Sequence, residues 1–221
     1  MKKFLSVVVM LLAFAAIANA QGKLGFTVEA GLNLSKFGGD TDDLVDEGSC
    51  DMKSGFNLGV MADMPFTDAI SLKAGLKYTQ RGWKNEFSGK DSDGDYYEED
   101  IKVKLGYLQI PIMATYHFVI SDNIELLASV GPYFAFALHG KEEYDDDDRK
   151  IKFGEKSTDY KRFDFGLVLP SVGVKFQNFY VGISNEFGLV NVYTPEGSYE
   201  DGIEYDNIRN YCFSINVGYT F

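Results

Sequence analysis

Leu24-Gly25-Phe26-Thr27-Val28-Glu29-Ala30-Gly31-Leu32-Asn33-Leu34-Ser35 is the stretch that decides the fold. Its even positions are Leu, Phe, Val, Ala, Leu and Leu; its odd positions are Gly, Thr, Glu, Gly, Asn and Ser. Successive side chains leave an extended chain on opposite sides, so this strict alternation describes one strand with an apolar face and a small, polar face.

The same pattern recurs along the chain. Phe56, Leu58, Val60, Ala62, Met64 and Phe66 alternate with polar or small residues, as do Ile70, Leu72, Ala74, Leu76 and Tyr78. Further apolar faces run over 108–118, 124–138, 179–187 and 211–221. One strand changes phase: Phe165, Leu167 and Leu169 are odd, whereas Val172, Val174 and Phe176 are even. A one-residue slip would turn every later side chain to the wrong face, so a β-bulge is expected near Pro170-Ser171.

Eight strands result, and their connections alternate in length. Residues 67–69, 119–123 and 177–178 are short turns; 36–53, 81–100, 140–162 and 193–210 are long and polar. The expected fold class is all-β: an eight-stranded antiparallel up-and-down transmembrane β-barrel with short periplasmic turns and long extracellular loops.

A soluble eight-stranded barrel would alternate in the same way, and charge position separates the two. The four long connections hold 26 of the 33 acids, and the strand acids Glu29, Asp63, Glu125, Asp164 and Glu186 all fall on the small, polar face, with Lys73, Lys77 and Lys175. The large apolar face carries no charge through its central span. Bulky Phe, Tyr, Leu and Ile cannot all fit an eight-stranded lumen, and lining a ligand pocket with the other face would bury its charges. Apolar residues facing lipid and small or charged residues facing the lumen satisfy both demands. Lys102 and Lys104 share parity with Leu108 and are expected above the membrane. Aromatics gather near both strand ends, as two interfacial girdles would.

Residues 1–20 read as an export signal: Lys2 and Lys3, an apolar run over 4–17, then Ala18-Asn19-Ala20 at the cleavage positions. The mature domain is expected to span 21–221 and to reside in an outer membrane of the Gram-negative type. Losing two lysines takes the net charge from -12 to -14. Such acidity excludes nucleic acid as a natural partner, since that needs a basic footprint. Cys50 and Cys212 pass through an oxidising compartment, where a bond between them is permitted.

Several segments resemble the outer-membrane β-barrel domain family often called porin-family proteins. They are Tyr107-Leu108-Gln109-Ile110-Pro111-Ile112, Gly131-Pro132-Tyr133-Phe134, Phe163-Asp164-Phe165-Gly166-Leu167 and the terminal Gly218-Tyr219-Thr220-Phe221. The last is similar to the C-terminal assembly signal of barrels. The resemblance implies an eight-stranded outer-membrane barrel, with no catalytic residues and no common ligand.

No catalytic, cofactor-binding or metal-binding residue is expected. Nucleophilic catalysis would need a base such as histidine, and only His117 and His139 exist. His139 has inward parity near the outer mouth, but no motif accompanies it. Asp91-Ser92-Asp93-Gly94-Asp95 has the spacing of a calcium-loop fragment without the distal Glu, and Asp145–Asp148 is followed at once by basic residues. Both read as solvated loop. The interior charges Asp63 and Lys73, Glu125 and Lys175, and Lys77, Glu29 and Glu186 are expected to satisfy one another in a filled lumen, with a narrow ion path as the alternative. The expected partners are outer-membrane lipid, lipopolysaccharide and the barrel assembly machinery, the last through the strand ending in Phe221. The expected role is non-enzymatic, in envelope structure or loop-mediated interaction, ahead of a small-solute channel and a lipid-modifying enzyme. N-terminal sequencing of the protein recovered from outer membranes should start at Gln21; a retained Lys2-Lys3 would contradict a cleaved leader.

Overall fold

A computed structural model describes residues 24–39, 51–90, 96–144, 148–154, 160–193 and 207–221, with only the backbone described for 86–90 and 96–100. The strands are β1 (Gly25–Gly38), β2 (Asp51–Pro65), β3 (Ile70–Lys90), β4 (Tyr96–Ser121), β5 (Ile124–Glu143), β6 (Asp148–Lys150), β7 (Phe163–Phe176), β8 (Phe179–Gly188) and β9 (Arg209–Thr220). Each pairs antiparallel with its neighbours, and β9 returns to β1, with Val28 opposite Val60 on one side and Tyr219 on the other. Eight strands form the closed ring, and β6 is a short flap on the outer end of β5.

Alternation sorts the faces as expected. On β1, Thr27, Glu29, Asn33 and Ser35 are buried inside, while Leu32 and Leu34 stand exposed outside. The outward face is a band of exposed apolar side chains, including Phe118, Val130, Phe136, Ile183 and Val217. In water this would be untenable; against hydrocarbon it is the stable arrangement. Aromatic pairs mark both ends: Phe179–Tyr219 and Tyr219–Phe221 by the turns, Phe56–Tyr78 and Phe187–Tyr211 toward the loops.

The turns are tight. In the first, the amides of Ala69 and Ile70 donate to Thr67 Oγ1. In the third, Gln177 adopts a φ of 53° and Asn178 Nδ2 donates to the Thr220 carbonyl at 2.6 Å. At the seam, the Phe221 amide donates to the Phe26 carbonyl at 2.8 Å.

The expected bulge is present. Ser171 pairs with Ser129 and Ser184, but the next pairs are Val168 with Gly131 and Glu186. Leu169 and Pro170 are thus the extra step, and both face outward. Two consecutive outward residues absorb the slip, so Val168 and Ser171 both point inward.

Two expectations change. Most of the segment expected as a loop over 81–100 is strand: β3 continues to Lys90 and β4 begins at Tyr96, with Lys90 opposite Tyr96. Above the hydrocarbon the outer face meets water, so it loses its apolar residues although the backbone keeps pairing. The second concerns β5, where Tyr107 pairs with Ala137 and Gly106 with His139, leaving Leu138 as an additional residue. This bulge turns His139 out of the lumen, where its ring stacks on Tyr78 with centroids 6.1 Å apart.

The Leu169-Pro170 bulge yields a sharp test. Deleting Pro170 restores regular alternation and should leave a heat-modifiable barrel on an unboiled gel. Deleting Ile183 from the regular part of β8 inverts its faces and should abolish the folded band.

Candidate functional site in the barrel lumen

The lumen is stratified along its axis. At the turn end, His117 Nδ1 lies 2.6 Å from Glu125 Oε1, and its Nε2 lies 2.6 Å from Ser71 Oγ and 3.7 Å from Asp63 Oδ2. Lys175 completes the cluster, 3.6 Å from Glu125. Asp63, His117, Glu125 and Lys175 line an open-mouthed cavity of about 180 Å³.

One layer further in, Lys73 reaches Glu29 at 3.8 Å. Lys73 stands opposite Asp63 in the ladder of β2 and β3, yet its ion pair is with Glu29. Its ammonium also lies 4.6 Å from the centre of the Tyr180 ring. That ring occupies space left by glycine: a Cβ at Gly173 would fall 2.4 Å from it, and one at Gly182 would fall 2.1 Å from its hydroxyl. Above this layer a cavity of only about 20 Å³ remains, on the scale of a single water.

The central layer is built on Arg81. Its Nη1 donates to Asp164 Oδ2 at 2.8 Å and to the Tyr133 hydroxyl at 3.1 Å. Its Nη2 donates to Glu186 Oε2 at 2.5 Å and to Gln109 Oε1 at 2.9 Å. Lys77 donates to the other Glu186 oxygen at 3.0 Å, and Asn210 Nδ2 donates to Asp164 Oδ2 at 3.1 Å. The guanidinium stacks 4.5 Å from the centre of the Tyr133 ring. Side chains of β3, β4, β5, β7, β8 and β9 therefore meet at one fork, six of the eight ring strands. Two cations balance two acids. Arginine suits this place because its planar donors can bridge several strands at once.

Toward the loops the lumen turns apolar. Phe37, Trp83, Val103, Leu105, Tyr160, Val192, Tyr193 and Ile208 are all buried there. Tyr160 and Tyr193 lie with ring centroids 4.6 Å apart, and Tyr193 donates to the Tyr160 hydroxyl at 2.8 Å. An apolar plug caps the ionised layer.

The expected pairings Glu125–Lys175 and Lys77–Glu186 hold, and Glu29 joins Lys73. Arg81 was hidden in an expected loop, although Lys73, Lys77 and Arg81 recur every four residues on one face of β3. The plug was hidden for the same reason: Phe37, Trp83, Val103 and Leu105 simply continue the inward parity past the apolar band. Cys212 is a free thiol buried at the level of Glu186, its Cα partner. Cys50, Asp91–Asp95 and the acids 145–147 lie outside the described residues; Asp148 is ion-paired with Lys141 at 2.7 Å.

The histidine that finds a hydroxyl and acids is His117, not His139. Ser71, His117 and Glu125 stand in the order of nucleophile, base and acid. Acyl transfer also needs free N–H donors for the oxyanion. Ser71 and Leu72 are registered between β2 and β4 on both sides, so their amides are held within the ladder. The cluster acts as a clasp joining β2, β3, β4 and β5 at the rim.

Replacing Arg81 by Met would leave Asp164 and Glu186 buried without their shared cation, a loss of about 3–5 kcal/mol. Urea unfolding in micelles should show a much lower midpoint for Arg81→Met. Adding Asp164→Asn and Glu186→Gln should recover part of the loss.

The profile of the outer membrane protein beta-barrel domain family matches residues 18–194. No curated protein matches the chain. Among solved structures, Ail, the attachment invasion locus protein of Yersinia pestis, is 15% identical with a TM-score of 0.44, covering 90% of this chain and 99% of that one. Neisserial surface protein A is 16% identical with a TM-score of 0.44, covering 89% and 97%. The N-terminal β-barrel domain of Pseudomonas aeruginosa OprF is 11% identical with a TM-score of 0.36, covering 88% and 97%. With a profile match over most of its length and a closed ring of eight antiparallel strands, the chain belongs to the outer membrane protein beta-barrel domain family and is an outer-membrane protein.

Proposed function

We propose that this barrel is a non-enzymatic envelope protein with a closed lumen, whose activity resides in its outer surface and acidic loops. The observation that carries this reading is the Arg81 fork, which joins Asp164, Glu186, Gln109 and Tyr133 across the lumen. A permeating ion would have to break several charge-assisted hydrogen bonds in a low-dielectric site, and each such bond is worth roughly twice a neutral one. The apolar plug above adds a second barrier. A non-catalytic role is supported by the ladder-bound amides around Ser71 and by the outward position of His139, remote from the lumen acids.

In this reading residues 1–20 are a leader removed after Ala20, and the assembly machinery engages the strand ending in Phe221. No catalytic, cofactor or metal residue is assigned. The loops, with nearly all the net negative charge, are the surface offered to partners at the cell exterior. A small-solute channel is the competing reading, favoured by the cavity at the turn end alone.

Planar-bilayer recording on the refolded mature protein decides between them. The closed reading predicts no stable single-channel steps for the parent protein. Porin-sized open currents would overturn it.

A further inference from the structure

A polar side chain stands on the lipid-facing wall. Asn185 shares outward parity with Val181, Ile183 and Phe187 on β8 and is half-buried among its neighbours. Its ladder partner on β9 is Phe213. On the β7 side the register passes from Ser171–Ser184 to Val168–Glu186, so Asn185 lies beside the Leu169-Pro170 bulge with no ladder partner there. The Tyr211 hydroxyl donates to Asn185 Oδ1 at 3.1 Å. Among the described residues the amino group of the same amide makes no hydrogen bond. Turning the amide over would only exchange which end is left. Hydrocarbon supplies no acceptor, so an amide held there lacks the bonds that water or protein would give it. A tyrosine of the outer girdle can satisfy its hydroxyl among headgroups, so holding Tyr211 does not call for an amide below it.

Turnward of this amide the wall is concave. A groove of about 530 Å³ runs over β4, β5, β7 and β8, with Leu126, Ala128, Val172, Val174, Val181 and Ile183 in its lining. On the other side of β8, Ile215 and Val217 of β9 project outward, 49% and 55% exposed, opposite Ile183 and Val181 in the ladder. Below Arg209 the outward faces of β7, β8 and β9 carry no charged side chain.

We propose that this wall is the interface between two copies of the chain, related by a two-fold axis along the membrane normal that passes beside Asn185. Such an axis keeps every residue at its own depth. Asn185 of one copy then meets Asn185 of the other, and each amino group donates to the other's Oδ1. A carboxamide carries both donor and acceptor, so it is its own complement, as a contact between identical surfaces requires. The same operation lays the β9 side of each copy against the β7 side of the other, so Ile215 and Val217 enter the groove at the depth of Ile183 and Val181. The uncharged wall gives no foothold to an oppositely charged partner, and acyl chains would leave both amides unanswered. Where lipid is as apolar as the protein, polar bonds between membrane segments and close packing are the forces that hold copies together. The contact is independent of whether the lumen conducts.

The test uses the full mature chain, refolded into neutral phospholipid vesicles from donor-labelled and acceptor-labelled pools and diluted stepwise with lipid. Energy transfer should exceed that of randomly placed monomers and fall along a monomer–dimer isotherm. Asn185→Leu should weaken the association roughly tenfold, the scale of two hydrogen bonds between membrane segments. Ala128→Trp, which fills the groove, should weaken it at least as much. Leu76→Trp, on β3 directly across the ring from β8, should associate as the parent does. A heat-modifiable band for each variant shows that a loss of transfer is a loss of association and not of the barrel. Transfer no higher than random in the parent means that lipid or a different protein covers the wall, and overturns the proposal. Equal association of Asn185→Leu and the parent overturns it too. Urea midpoints in micelles supply the last control. Asn185→Leu should keep the parent's midpoint; a midpoint that falls in step with the transfer would make the amide a strut of its own barrel and overturn the interface.

Discussion

Hydrocarbon offers no partner to a backbone N–H or C=O, and the rest of this structure follows from that constraint. A strand crossing the membrane must have both edges paired, so the sheet closes with β9 against β1. Closure divides the side chains into two populations with opposite requirements. The outer one must be apolar, and the inner one must fill a narrow tube. Fixed charges can enter that tube only if they neutralise one another, because a lone buried charge is far more costly than a pair. The pairs Lys73–Glu29 and Lys77–Glu186, and the Arg81 fork, are the answer to that second requirement.

The levels of the lumen have different consequences for function. The rim cluster around His117 is part-buried and borders the cavity at the turn end. The Arg81 layer is buried and bridges six strands, so it fixes the barrel's cross-section as well as blocking its axis. The aromatic plug extends the barrel beyond the apolar band and gives the long β3–β4 hairpin a core to pack against, with Trp83 and Val103 contributing from its base.

The two bulges on β7 and β5 do opposite things with the same device. Leu169-Pro170 inserts an outward residue so that the apolar face stays outward on both sides of the bulge. Leu138 inserts one so that His139 leaves the lumen for the outer wall, where it meets Tyr78. The second bulge also determines which residue of β5 stands beside Lys104, namely Lys141.

The sequence by itself determined the strand number, the inward and outward faces, the position of the β7 bulge and the identity of most lumen charges. Alternation is enforced residue by residue wherever one face meets lipid, so it is written in Leu24–Ser35 and its repeats. Beyond the apolar band that enforcement ends, and Arg81, Trp83 and Tyr160 looked like loop residues. Their roles depend on pairing partners far away in the chain: Arg81 on Asp164 and Glu186, Tyr160 on Tyr193. Only the tertiary structure decided these, together with the outward turn of His139 and the choice of Glu29 over Asp63 by Lys73. A one-residue offset in a ladder is set by the packing of both neighbours, and nothing local to His139 or Lys73 records it.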